Sequence, residues 1–157
     1  MAAHRPLNRR EMAAWRAFLT AHARVMRKLE AELVTEEGLS LAAYELLAAL
    51  SEMPDRRARM SELTSLVFLT PSGVTRLVDK LAGDGFVRRE RCTGDARVVY
   101  TVLTDQGLTR LEEAYLTHLR GVREHVVDRL GREELETVTA AMNRLAEICD
   151  TTLEDTA

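Results

Sequence analysis

The stretch that decides the fold runs from residue 60 to residue 104 and reads MSELTSLVFLTPSGVTRLVDKLAGDGFVRRERCTGDARVVYTVLT. Its first part predicts a short helix over about 61–67, with Ser61 as the N-cap. Thr70 and Pro71 predict the start of a second helix. A threonine hydroxyl accepts a free backbone N–H, and proline at the first helical position loses no hydrogen bond. Gly83 and Gly85 are expected to end that helix.

A two-stranded hairpin is predicted after these glycines. Residues 86–91 and 98–103 have the length and apolar content of strands, and residues 92–96 have the composition of a turn. Residues 56–59 are predicted to form a minor strand against this hairpin. Two successive helices followed by a basic hairpin are the layout of a winged helix-turn-helix, which places its second helix in a DNA groove.

Long amphipathic helices flank this central unit. Apolar residues recur at steps of three and four over 9–34, from about 105 to 129, and over about 132–153. Heptad-like spacing of this kind favours packing of helix on helix. We therefore expect a mostly α fold with a small β-wing. Residues 1–157 would form a single domain, with a DNA-binding lobe at about 39–104 and dimerisation helices at about 9–34 and 105–153.

Bulk composition bounds the class of protein. The chain has 157 residues, of which 46% are hydrophobic and 4% aromatic, and this suits one mostly helical domain or a dimer with a shared core. Its two cysteines, Cys92 and Cys149, are too few for a disulfide scaffold, so a reducing cytoplasm is expected. We find neither a signal peptide nor an apolar run of membrane-spanning length.

The charge of the chain is unevenly distributed. The formal net charge is −3, but residues 56–97 contain nine Lys and Arg against five Asp and Glu, whereas the remainder contains 13 basic and 20 acidic residues. A basic centre with acidic flanks suits a DNA-facing lobe on a dimerising body. Chance asymmetry on a solvated surface is the alternative explanation.

The candidate DNA contacts lie on the second helix and the hairpin. The expected core face of the second helix consists of Val74, Leu77, Val78 and Leu81. Its polar residues are therefore expected to face outward. Arginine is favoured in narrow minor grooves, which a basic hairpin beside the helix would reach. Asp95 would stiffen the hairpin tip, by pairing with an arginine or by accepting turn amides. The predicted DNA-binding residues are Ser72, Gly73, Thr75, Arg76, Lys80, Arg89, Arg91, Asp95 and Arg97.

Three segments of the chain resemble the MarR family of bacterial winged-helix regulators. Residues 39–47, LSLAAYELL, resemble the family's second helix. Met60-Ser61-Glu62-Leu63 together with residues 70–81 resemble its helix-turn-helix. Residues 85–104 resemble its wing, with Asp95 and Arg97 in an Asp-x-Arg pattern and Leu103-Thr104 following. The resemblance covers nearly the whole chain.

This resemblance implies a homodimer that binds double-stranded DNA at a roughly palindromic operator, usually as a repressor. Release by a small phenolic or anionic ligand, bound between the DNA lobe and the dimerisation helices, is also implied. The chain departs from many relatives because Ala96 and Val98 stand where a second basic wing residue is common. Wing contacts are then fewer and depend more on Arg97.

Candidate effector-binding residues are the unusual members of apolar stripes, together with one arginine: Trp15, Arg16, His22 and Tyr44. A protonated His22 would bond a ligand carboxylate. The plainer interpretation is a core histidine with two packing aromatics. Cys92, after three wing arginines, is a candidate redox switch or an incidental thiol.

The sequence favours neither a metal, a cofactor nor an enzyme. His118 and His125 are about 10 Å apart by helix rise, and no Cys/His cluster has zinc spacing. No glycine-rich phosphate loop or nucleophile elbow is found. The hypotheses that remain are a ligand-responsive dimeric repressor, a redox regulator acting through Cys92, and a winged-helix interaction module without operator binding.

Overall fold

The structure is a computed structural model that describes residues 5–67, 69–92 and 98–154, with side chains placed through Glu147. Its fold is mostly helical with a small three-stranded antiparallel sheet of order β1-β3-β2, which is the predicted class. The helices are α1 (Arg9–Glu32), α2 (Leu41–Glu52), α3 (Met60–Leu66), α4 (Pro71–Gly83), α5 (Asp105–His125) and α6 (Arg132–Glu154), and the strands are β1 (Arg57–Arg59), β2 (Val87–Arg91) and β3 (Val99–Leu103).

Side-chain caps set most helix starts. Asn8 accepts the amides of Arg10 and Glu11 at the start of α1, and Ser40 and Thr104 cap α2 and α5 in the same way. Each such cap stabilises its helix by about 1 kcal/mol. The predicted cap of α3 was wrong, because β1 runs directly into this helix and Arg59 occupies the N-cap position. The Glu62 carboxylate accepts the Arg59 amide at 2.6 Å, and the side chain of Ser61 makes no cap.

The core lies where α2, α3, α4 and the sheet meet. Its fully buried members include Leu46, Leu47, Leu50, Leu63 and Val78. The outer ends of the long helices contribute little to this core. The apolar residues that remain exposed within one chain include Trp15 on α1 and Val138, Met142 and Leu145 on α6. The described residues include no helix long and apolar enough to cross a membrane.

The first helical segment ends at Gly38 as its sequence predicts, whereas α5 ends earlier than predicted. The last turn of α1 is a π-helix, Leu33–Glu37, which Gly38 closes in the left-handed conformation with φ 64°. The expected helix to about residue 129 stops at His125, where Val126 leaves helical geometry and a 3₁₀ turn, Val127–Arg129, follows. These two ends lie against each other, since His125 Nε2 is 2.6 Å from Glu32 Oε1.

α5 packs inside the chain with part of its apolar stripe and with a set of small residues. In the apolar stripe, Leu111 is buried, Leu108 and Val122 are half-buried against the core, and Tyr115 and Leu119 are exposed. The other buried residues are small: Gly107, Ala114, Thr117 and Gly121. Small residues let α5 approach α1 closely, because the distance between packed helices is set by the side chains at the contact.

Candidate nucleic-acid interface

The solvent face of α4 is polar and accessible, as the helical periodicity predicts. Val74, Val78 and Leu81 are buried and Leu77 is half-buried, so the helix is held by its apolar side. Among the predicted contact residues, Gly73 is half-buried, and the exposed ones are Ser72, Thr75, Arg76 and Lys80. Ser72, Arg76 and Lys80 follow one another at steps of four residues and therefore form a single ridge.

The first turn of α4 is fixed by local hydrogen bonds. Thr70 Oγ1 accepts the Gly73 amide at 3.2 Å, and the hydroxyls of Thr70 and Ser72 are 3.3 Å apart. Thr75 Oγ1 donates to the Pro71 carbonyl at 3.0 Å, which leaves its lone pairs free to accept from a base or an ordered water. This N-terminus therefore presents hydroxyl oxygens in fixed positions beside the positive end of the helix dipole.

Arg76 and Lys80 are the available cations of α4. Both are exposed, and within the described ranges neither makes a hydrogen bond or an ion pair. An unpaired guanidinium fork can bind a phosphate or the O6/N7 edge of guanine with two hydrogen bonds. No bond within the protein has to break before these two side chains bind an anion.

Arg89 links the wing to α4. Its Nη2 lies 2.6 Å from Asp79 Oδ1 across the junction of β2 and α4. Arg91, on the same face of β2, makes no ion pair in the part of the chain that the structure describes. Arg88 lies on the opposite face and bonds Glu90 at 3.0 Å. Arg91 is thus available to DNA, whereas Arg89 has to share its guanidinium with Asp79.

The wing tip falls outside the described residues. The predicted roles of Asp95 and Arg97 concern that segment, so both remain predictions. The last described contact of the hairpin is the hydrogen bond from the Cys92 amide to the Val98 carbonyl at 2.9 Å. The strands below it pair in register from Val87 opposite Leu103 to Arg91 opposite Val99.

Two arginines of the basic centre lie on the other face of the sheet. Arg57 and Arg59 on β1 approach the ring of Tyr100, with Cζ at 4.9 and 5.8 Å from the ring centroid. Arg59 is directly opposite Tyr100, whereas Arg89 is opposite Thr101, so the two arginines project from opposite faces. Cation–π contacts of this kind stabilise a sheet edge. The count of charges along the sequence cannot separate these two arginines from those that face α4.

A clamp of polar groups joins the end of α1 to α5. Arg110 bonds the carboxylate of Glu37 at 3.2 Å and also its backbone carbonyl, and the Thr117 hydroxyl donates to Glu37 Oε1 at 2.6 Å. The Thr117 hydroxyl, followed by Arg110, lowers the pKa of Glu37 below its ordinary value. This clamp holds the segment that leads into α2 against α5.

The four predicted effector residues do not meet in one pocket of a single chain. His22 lines a groove of about 520 Å³ between α1 and α2, together with Met26, Arg27, Leu41 and Glu45 among others. Trp15 and Arg16 lie one to two turns earlier on α1, exposed to solvent. Tyr44 is on a different face of α2 and is buried.

Tyr44 stacks on His118 of α5, with ring centroids 4.3 Å apart. Nδ1 of His118 is buried without a hydrogen-bond partner among the described residues. Burial lowers the pKa of His118 below 6.5 and raises the pKa of Tyr44 above 10.0. Helical periodicity placed Tyr44 in the apolar stripe of α2, and His118 was considered only as a metal ligand with His125, so the sequence gave no sign that the two rings stack.

The remaining candidate chemistry is sparse. Cys92 is half-buried at the end of β2, and the side chain of Cys149 lies outside the described part, so the redox hypothesis remains a prediction. Among the described residues, no three His, Cys, Asp or Glu side chains are grouped to hold a metal.

Comparison with known proteins gives the class. The MarR family model matches residues 37–98. The structure of Sco3205 from Streptomyces coelicolor, a MarR family transcriptional regulator in complex with DNA, is 33% identical, with 94% of this chain and 92% of that chain covered and a TM-score of 0.87. AbsC from the same organism is 32% identical, with coverages of 94% and 99% and a TM-score of 0.86.

A curated relative agrees with this result. The transcriptional repressor YetL of Bacillus subtilis is 38% identical over 76 residues, which are 48% of this chain and 46% of YetL. The matched region thus spans less than half of that repressor. The fold and site define a winged-helix transcriptional regulator, and the chain belongs to the MarR family. Members of this family are DNA-binding transcription factors and not enzymes.

Proposed function

We propose that this regulator binds a roughly palindromic operator as a homodimer and represses transcription. The observation that carries the proposal is the ridge Ser72–Arg76–Lys80, exposed beside the wing, with both cations unpaired in the described structure. Recognition helices contact base edges with their N-terminal residues while nearby cations bind phosphates. The proposed DNA-binding set also includes Gly73, Thr75, Arg89, Arg91, Asp95 and Arg97.

Dimerisation is proposed from apolar surface that one chain leaves uncovered. Val138, Met142 and Leu145 are 42%, 38% and 51% exposed along one side of α6, and α6 makes few contacts with the rest of the described chain. Apolar side chains repeated on one helix face require a partner surface to be removed from water. Residues 9–34 and 105–153 would form the dimer interface and residues 39–104 the DNA-binding lobe, in a cytoplasmic protein.

The groove at His22 is the proposed effector site. Burial, and then the neighbouring Glu30, raises the pKa of Glu45 on its wall, so the groove combines an acidic acceptor with the donors His22 and Arg27. A phenol that carries a carboxylate would bond both kinds of group. Trp15, Arg16 and Tyr44 do not line this groove, and their roles as effector contacts remain predictions.

The proposal is tested with fluorescence anisotropy, using duplex DNA from upstream of the protein's own gene and a scrambled duplex at several salt concentrations. Arg76→Ala is expected to weaken binding by about 1–3 kcal/mol if Arg76 reads a base. Arg132→Ala is the matched control, because Arg132 is an exposed arginine at the start of α6, away from α4. Equal loss for both variants would remove α4 from the interface.

Two further outcomes decide between the alternatives. Binding that does not distinguish upstream from scrambled DNA would favour a winged-helix module without an operator. Addition of salicylate as the phenolic probe is expected to weaken operator binding by the wild type but not by His22→Ala. Peroxide that releases the wild type but not Cys92→Ser would instead favour the redox mechanism.

A further inference from the structure

Leu69 is an exposed apolar residue at the start of the helix that faces DNA. It lies immediately before Thr70, the N-cap of α4, and is 37% exposed. Val67, two residues earlier, is buried in the core, so the turn between α3 and α4 is anchored without Leu69. An exposed leucine by itself is common on protein surfaces. This one borders the predicted contact residues of α4 and lies outside the helices proposed to form the dimer.

Local contacts fix the position of the Leu69 side chain. The Leu69 amide donates to the Val67 carbonyl at 2.7 Å, and the Thr70 hydroxyl caps the helix that follows. The side chain runs along the first turn of α4, because a Cβ added at Gly73 would lie 3.4 Å from Leu69 Cβ and 3.9 Å from Leu69 Cδ2. Gly73 comes three residues before Arg76, so the two lie on one side of the helix. Leu69 therefore lies at the N-terminal end of the exposed ridge of α4.

The surface at this end of α4 combines an apolar group with hydroxyls. Thr70 Oγ1 and Leu69 Cβ lie 3.2 and 3.4 Å from the same Cβ position at Gly73, and the hydroxyls of Thr70 and Ser72 are 3.3 Å apart. In the major groove the base pairs present hydrogen-bonding groups and, on thymine, a C5-methyl group. Removing a leucine side chain and that methyl group from water together is favourable, whereas a leucine gains nothing from a phosphate. The apolar part of this surface therefore fits thymine.

We propose that Leu69 recognises a thymine in each half-site of the operator by contact with its C5-methyl group. This inference rests on the proposed binding of an operator through α4, and it adds a specificity-determining residue that makes no hydrogen bond to a base. The contact distinguishes thymine from the other bases, because the methyl group marks thymine in the major groove. The hydroxyls and Arg76 are left to read or position the polar groups of the DNA.

The test uses fluorescence anisotropy with the full-length protein and two forms of the duplex from upstream of its own gene. One form contains thymine, and the other contains deoxyuridine, which pairs in the same way and lacks only the C5-methyl group. The wild type is expected to bind the deoxyuridine duplex more weakly, by about fourfold for each half-site, because one methyl group is no longer removed from water. Leu69→Ala is expected to reduce the ratio of the two dissociation constants by this factor. Replacement of one thymine at a time then locates the base that Leu69 contacts.

Leu66→Ala is the matched control, because Leu66 is a leucine of the same lobe that is 42% exposed at the end of α3. This variant is expected to keep the wild-type ratio. If Leu69→Ala does not fold by circular dichroism, Leu69→Gln replaces it, since glutamine keeps the reach of the side chain without an apolar end, and the same reduction is expected. A wild type that does not respond to the methyl group, an unchanged ratio in the Leu69 variant, or an equal reduction in Leu66→Ala overturns the proposal.

Failure of this inference and failure of the proposed function give different results. If the wild type prefers the upstream duplex to a scrambled duplex but Leu69→Ala leaves the thymine-to-deoxyuridine ratio unchanged, an operator is bound and Leu69 does not read it. If the wild type binds the upstream and scrambled duplexes equally, operator binding is excluded, and the contact with thymine is excluded with it.

Discussion

Gly107 lies at the closest approach between α5 and the segment that joins α4 to the wing. A Cβ at this position would lie 2.0 Å from the Phe86 carbonyl oxygen and 2.8 Å from Leu103 Cδ1. The Phe86 oxygen also accepts hydrogen bonds from the amide and the hydroxyl of Thr104, at 3.1 and 3.0 Å. Gly107→Ala therefore forces backbone atoms to move where two hydrogen bonds fix the N-terminus of α5.

The expected cost of Gly107→Ala follows from these contacts. Overpacking costs about 1–3 kcal/mol, and weakening the two hydrogen bonds adds roughly 0.5–1.5 kcal/mol for each. The helix propensity of alanine returns about 1 kcal/mol. The free energy of unfolding should fall by about 3 kcal/mol, which for a chain of this size lowers Tm by about 6–12 °C.

The assay is thermal unfolding followed by circular dichroism at one protein concentration, because Tm of an oligomer depends on concentration. Gly83→Ala is the matched control, since a Cβ there would meet nothing within 4 Å. That variant should unfold at or slightly above the wild-type temperature. If Gly107→Ala is as stable as Gly83→Ala, the close approach of α5 to the Phe86 carbonyl does not exist in the protein.

Three further predictions concern charge, pH and capping. Asp79→Asn should leave Tm nearly unchanged, because exposed ion pairs contribute about 0–1 kcal/mol. The Asp79→Asn variant releases Arg89, so anisotropy measurements should show higher affinity for random DNA and a lower ratio of operator to random binding. An unchanged ratio would contradict the interpretation that Asp79 positions Arg89. Burial lowers the pKa of His118, so the unfolded state binds this proton more readily than the folded state does. The free energy of unfolding, measured with urea, should therefore fall as the pH drops below about 6.5. His118→Gln should show a smaller decrease over the same pH range. Thr70→Ala should cost about 1 kcal/mol of unfolding free energy through the lost cap of α4, whereas Thr137→Ala, within an exposed helix, should change it less.

The sequence alone determined the order and type of the elements in the central lobe. The signals used for this lobe are local, because capping, proline geometry and alternation act within a few residues along the chain. They are Thr70-Pro71, Gly83 and the strand patterns on either side of residues 92–96. The observed α4, β2 and β3 start and end within a residue or two of these signals. The core side of α4 follows equally well, since burial of Val74, Val78 and Leu81 is a consequence of periodicity.

Only the tertiary structure decided which polar and small residues meet. Arg89 bonds Asp79, Tyr44 stacks on His118, and Arg57 and Arg59 lie against Tyr100. The apolar stripe of α5 gave no indication that small residues share its contact face inside one chain. Such contacts depend on how close two elements come and how they are rotated, which the packing of all the elements sets together and no local pattern encodes.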